Sequence, residues 1–98
     1  MWILRTLESE PDPLTFRMAA GAIKTIGRAQ GVDFVLDAAL VSRVHCRLSA
    51  GASEVEVTDL DSTNGTYVNG QRVSRALLKD GDQLGIGRVT LKVCRVES

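Results

Sequence analysis

The chain has 98 residues, 44% hydrophobic and 24% charged, with 12 Lys and Arg set against 12 Asp and Glu. That length holds one modest core and not two, and zero net charge excludes the global basic field of a nucleic-acid or anionic-membrane binder. No apolar run approaches a membrane span, and MWILRTLESEPDP, with one early Arg and then acids, does not read as a signal peptide, so an intracellular protein is expected, cytoplasmic or, if eukaryotic, nuclear.

In chain order the sequence is a series of short apolar or alternating runs split by turn residues. WILRTL (Trp2–Leu7) comes first, with Trp2 as core or sheet cover. LTFRM (Leu14–Met18) follows a Pro-Asp-Pro break at 11–13, and AIKTIGR (Ala22–Arg28) follows Gly21. DFVL (Asp33–Leu36) follows Gln30-Gly31. It lies in VDFVLDAALV, the best candidate for a helix, but Phe34 and Val35 favour strand and Asp33 and Asp37 break the apolar stripe. HCRLSA (His45–Ala50) is next, and alternation buries Cys46 and Leu48 while placing His45 and Arg47 on the other face. EVEVTDL (Glu54–Leu60) opposes Val55 and Val57 to Glu54 and Glu56. TYV-NG-QRV reads as a two-residue hairpin, with a type I′ turn at Asn69-Gly70 and Tyr67 facing Arg72. RVTLKVCRV (Arg88–Val96) opposes Val89, Leu91 and Val93 to Arg88, Thr90 and Lys92. Short strands with Gly-rich turns and no crossover helix predict an all-β sandwich or barrel, mainly antiparallel.

Cys46 and Cys94 form no CxxC pair. They read as free thiols, with a disulfide between them as the alternative.

Three loop segments carry the candidate chemistry: IGRAQG with Arg28, VSRVHCR with Ser42, Arg43 and His45, and DSTNGT with Thr63 and Asn64. Asn64-Gly65 lies across a very short strand from the Asn69-Gly70 turn and cannot belong to the same hairpin. Guanidinium, hydroxyl, amide and glycine-exposed N–H groups all donate to anions. Converging at one end of a sandwich, they suit a phosphorylated side chain, with its charge of about −1.5 to −2 and three acceptor oxygens. Ser42, His45 and Asp59 or Asp61 have the composition of a catalytic triad, but no nucleophile-elbow sequence surrounds Ser42. His45 is the sole histidine and its neighbour Cys46 would face away from it, so no metal site is expected. Asp59 and Asp61 lack calcium-loop spacing and are read as Asx-turn formers. Arg47, Arg72, Arg75 and Arg88 are read by default as plain surface charges, with a basic rim for a phosphopeptide as the alternative.

The pattern Gly27-Arg28, Ser42-Arg43-Val44-His45, Thr63-Asn64-Gly65-Thr66 and Val68-Asn69-Gly70, followed by LLKDGDQLGIG, resembles the forkhead-associated (FHA) domain family in order and spacing. The resemblance implies an FHA-type (SMAD/FHA) β-sandwich of about eleven mainly antiparallel strands, with binding loops at one end. It implies one FHA domain over 1–98, with its core motif region over 22–96. Carried over, Arg28 and Ser42 contact the phosphate of a phosphothreonine peptide and Arg43 or its backbone assists. Thr63 lines the loop beside it, and Asn64 bonds the peptide backbone. Gly27, His45, Gly65 and Asn69 support the site. Leu40, apolar and two positions before Ser42, implies no special preference for an acidic residue three positions after the phosphothreonine. The expected protein is a non-enzymatic monomer that binds a phosphothreonine-containing protein or peptide, with no cofactor, no metal, no direct nucleic-acid contact and no membrane. The alternative is a phosphorylation-independent assembly module that docks a partner by its sheet face.

Overall fold

The alternating runs become strands. The computed structural model of the protein describes residues 1–7 and 13–97, so Pro11 and Asp12 of the expected Pro-Asp-Pro break lie outside the described residues. It contains β1 (Trp2–Thr6), β2 (Thr15–Met18), β3 (Ile23–Gly27), β4 (Phe34–Val35), β5 (Cys46–Ala50) and β6 (Val55–Asp59). β7 (Thr66–Val68), β8 (Gln71–Val73), β9 (Arg75–Leu78), β10 (Gln83–Ile86) and β11 (Val89–Arg95) complete it, with no helix among the described residues. The stretch weighed as a helix instead gives the two-residue strand β4 and a loop.

Two sheets form: β2-β1-β11-β10-β7-β8, and β4-β3-β5-β6-β9. Every pairing is antiparallel except β3 with β4. β9 and β10 are strands beyond the runs that stand out in the sequence. Each is four residues long, and β9 has only Leu78 buried, too little alternation to stand out.

Period-two burial explains why the sheets face each other. β11 buries Val89, Leu91 and Val93, and β6 buries Val55 and Val57, as their patterns predict. Leu4, Ile26, Leu48, Leu78, Leu84 and Ile86 join them in one core between the layers. The Phe16 and Phe34 rings, on different sheets, stack with centroids 4.7 Å apart. Burying such side chains supplies most of the folding free energy, at about 25 cal/mol per Å² of apolar surface. Trp2 is buried and still satisfies its polar atom, donating Nε1–H to the Gly51 carbonyl at 2.9 Å. The Asn69-Gly70 hairpin has the expected register, Val68 opposite Gln71 and Tyr67 opposite Arg72. Both turn residues have positive φ, 50° and 84°, as a type I′ turn requires.

Candidate functional site

Three loops meet at one end of the sandwich: β3–β4, β4–β5 and β6–β7. Backbone hydrogen bonds join the first two. The Arg28 N–H donates to the Ser42 carbonyl (3.0 Å), the Ala29 N–H to the Arg43 carbonyl (3.1 Å), and the His45 N–H to the Ile26 carbonyl (2.8 Å). So close an approach leaves no room at Gly27. A Cβ there would run into the Arg43 carbonyl and lie 3.0 Å from the Val44 Cα.

His45 joins the second loop to the third. Its Nδ1 accepts the Ser42 N–H at 3.0 Å, and its Nε2 meets the Gly65 carbonyl at 2.8 Å. A carbonyl only accepts, so the proton sits on Nε2. The ring is fully buried, which corrects its expected place on the outward face beside Arg47. Strand β5 starts only at Cys46, and alternation does not extend into the turn before it. Both ring nitrogens face backbone groups, so neither is offered to the Ser42 hydroxyl and a hydrolytic triad is not assembled.

The β6–β7 loop is built around the Asp59 carboxylate. It accepts the Ser62 hydroxyl at 2.5 Å, the Thr66 hydroxyl at 2.7 Å and the Ser62 N–H at 3.1 Å. Burial works to raise the Asp59 pKa. The hydrogen bonds from Ser62 and Thr66 outweigh it and hold the carboxyl below its usual 3.8. Ser62 Oγ in turn accepts the Gly65 N–H at 3.0 Å. Asp59 thus plays the loop-shaping part expected of it. Asp61 contributes a left-handed turn, φ 61°.

Two further bonds bring the third loop onto the second. The Thr63 N–H donates to Ser42 Oγ at 3.0 Å, and Asn64 Nδ2 donates to the Leu40 carbonyl at 3.1 Å. Leu40 sits at φ 74°, a conformation that a branched apolar residue rarely adopts. Nothing in the sequence signals this.

Arg28, Ser42, Thr63 and Asn64 consequently line a single depression of about 360 Å³, with Ala39, Leu40 and Val41 completing its wall. Arg43 is exposed and lies to one side, sharing with Arg28, Ala29, Gln30 and Asp37 an adjoining hollow of about 350 Å³. Asn69 lies away from this group, where its side chain bonds the Gln83 N–H (2.9 Å) and Asp82 Oδ1 (3.2 Å).

The chemistry of the depression follows from which hydrogen-bonding positions remain. Ser42 Oγ accepts from Thr63, which leaves its own O–H to donate. Asn64 has spent one amide N–H and keeps the other, together with its oxygen. With the Arg28 guanidinium, these groups form a donor-rich hollow with no carboxylate among its lining residues. Cys46, beneath the loops, takes no part. Burial, aided by the nearby Asp59 charge and opposed by the Thr66 hydroxyl, pushes its thiol up to about 12. Both cysteines are free thiols.

These loops on this sandwich define an FHA domain. The family model described as "FHA domain" matches residues 24–87, and the chain belongs to that family. Among curated proteins it is similar to the ABC transporter ATP-binding/permease protein Rv1747 of Mycobacterium tuberculosis, 44% identical over 81 residues, covering 83% of this chain and 9% of the relative. It is also similar to the glycogen accumulation regulator GarA of the same species, 41% identical over 70 residues, covering 71% of this chain and 43% of GarA. The chain thus spans less than half the length of either relative. Among solved structures, the FHA domain of FhaA, complexed with the intracellular domain of Rv3910, superposes with a TM-score of 0.83 at 31% identity, covering 95% of this chain and 99% of that one. An FHA domain from a structural and functional analysis of phosphothreonine-dependent interactions gives 0.82 at 30% identity, covering 99% and 98%.

Proposed function

We propose that residues 1–98 form a single FHA domain whose loop end captures a phosphothreonine on a partner protein. The observation that carries this reading is the shared depression lined by Arg28, Ser42, Thr63 and Asn64. The Arg28 guanidinium and the Ser42 O–H supply charge-assisted bonds to the phosphate, and Arg43 adds positive charge from the adjoining hollow. Asn64 holds the backbone of the bound peptide with the amide groups it has left. Gly27, Gly65 and His45 keep the loops at the separation the ligand needs. FHA domains are interaction modules, and the phosphothreonine dependence named for the similar FHA domain supports the same ligand here.

Each hydrogen bond to the dianion contributes roughly 1.5–3 kcal/mol net. Binding therefore fails on dephosphorylation and weakens as salt rises. The test is titration with an oriented phosphothreonine peptide library, repeated with Arg28→Ala. Capture that vanishes in the variant supports the site. Partner binding that survives Arg28→Ala and phosphatase treatment replaces it with phosphorylation-independent docking.

A further inference from the structure

The chain is neutral, but its surface is not evenly so. None of the six strands β2-β1-β11-β10-β7-β8 contains an Asp or Glu. The outer face of that sheet carries Arg17, Arg5, Lys92 and Arg72, all exposed, with Arg88 exposed at the β10–β11 turn. Arg5 stands directly opposite Lys92 in the β1–β11 register. Like charges so placed destabilise a sheet, and the uncharged Thr15 and Gln83 flank the pair in the same row. Among the described residues the one ion pair is Arg75–Glu56, which belongs to the other sheet.

This basic face runs into the loop end. A Cβ at Gly87, in the β10–β11 turn, would lie 2.7 Å from the Leu40 carbonyl, so the turn abuts the wall of the depression. Arg72 Nε lies 2.8 Å from a Cβ position at Gly65, next to Asn64. The Tyr67 hydroxyl reaches the Asn64 carbonyl at 3.4 Å. Between these points lies a groove of about 330 Å³ lined by Tyr67, Gly85, Gly87, Arg88 and Thr90, among others. Of its glycines, Gly70 faces open space, whereas Gly85 is covered by Tyr67 and Gly87 by Leu40.

We propose that this face docks an acidic polypeptide segment of the same partner that presents the phosphothreonine. The partner is then held at two places, its dianion at the loops and its carboxylates across the outer sheet. The inference rests on the phosphothreonine reading. A polypeptide fits better than a nucleic acid because the groove beside Tyr67 is side-chain-sized and the chain has no net positive charge. Exposed ion pairs are individually weak, but several formed by a tethered segment act at high effective concentration, for a gain of about tenfold in affinity.

The test uses a short phosphothreonine peptide with uncharged flanks and the same peptide extended by a flexible linker and a run of glutamates, at one end or the other. The proteins are the wild type, the triple variant Arg5→Glu/Arg72→Glu/Lys92→Glu, and the milder Arg5→Gln/Lys92→Gln, each checked by thermal melting. The acidic extension is expected to tighten wild-type binding about tenfold from at least one end, with the gain lost in the triple variant and reduced by salt. The uncharged peptide should bind the wild type and Arg5→Gln/Lys92→Gln alike, and in each protein the effect of the acidic tail is read as the ratio of extended to plain peptide affinity. Equal affinity of extended and plain peptides, or a gain that survives in the triple variant, overturns the docking face and leaves the loop site standing. Failure of the wild type to distinguish phosphorylated from unphosphorylated plain peptide overturns the loop reading instead. A single-stranded oligonucleotide that displaces the acidic tail and binds more tightly than it does overturns the choice of polypeptide.

Discussion

Replacing His45 by Ala tests whether the loops are held by the fold or by their ligand. The imidazole is fully buried and joins two loops through the Ser42 N–H and the Gly65 carbonyl. Alanine leaves both backbone groups without their partner, at about 1–3 kcal/mol each, and adds a void where the ring was. The sum is roughly 3–5 kcal/mol, a large share of the 5–15 kcal/mol typical of a domain. At a urea dependence of about 2 kcal/mol per M, the unfolding midpoint falls by roughly 2 M. The folded fraction should also lose phosphopeptide affinity, because the buried tie between the Ser42 N–H and the Gly65 carbonyl is gone and only the exposed Thr63–Ser42 and Asn64–Leu40 bonds still join the two loops. A midpoint loss worth less than about 1 kcal/mol, with affinity intact, would refute the brace.

Other substitutions probe the same end of the molecule. Gly27→Ala drives a methyl into the Arg43 carbonyl, so thermal melting should show a loss of about 2–3 kcal/mol and titration a loss of peptide binding. Because the folded Asp59 pKa lies below its usual 3.8, this carboxylate stabilises the fold above about that pH, and the stability is lost as pH falls through the lower folded value. Asp59→Asn should flatten that acid limb in melting curves and lower stability at neutral pH. For Cys46 the sign reverses. With its thiol pushed from 9.0 to about 12 in the fold, its contribution is intact below pH 9 and is lost as pH rises toward 12. An alkylating reagent at mildly alkaline pH should label the partly exposed Cys94 in the native protein, and Cys46 only after unfolding.

The parts legible in the sequence were those governed by local rules. Alternation at Val55/Val57 and Val89/Leu91/Val93 fixed which faces meet, and Asn69-Gly70 fixed a hairpin register that depends only on its own turn. The convergence of the candidate residues was legible as an ordered set: Arg28, Ser42, Thr63 and Asn64 line one depression, although 36 positions separate the first from the last, while Arg43 lies in the hollow beside it. What stayed hidden depends on contacts between loops. The inward turn of His45 is set by the Gly65 carbonyl, 20 residues away. The left-handed Leu40 is tied to Asn64, 24 residues on, and to the Gly87 turn. The acid-free outer sheet emerges only once register brings Arg5 beside Lys92. In sequence, both look like scattered surface charges.

The same connectivity determines how substitutions at the loop end combine. Ser42 does two things at once. Its Oγ anchors the Thr63 N–H, and on the proposed reading its O–H is the donor left for the ligand. Asn64 likewise carries, on the proposed reading, the amide groups that meet a peptide, while its Nδ2 donates to the carbonyl of the left-handed Leu40. Arg28 bonds the second loop through its backbone N–H, and among the described residues its side chain holds no other loop, so truncating that side chain removes charge and leaves the loop lattice in place. Arg28→Ala should therefore weaken binding at unchanged stability. Ser42→Ala and Asn64→Ala should lower both, and the binding losses of that pair should not add, because either one loosens the loop contact that the other needs. Additive losses for Ser42→Ala and Asn64→Ala in a double-mutant cycle would mean that the two loops act independently and that the depression is not a single preorganised unit.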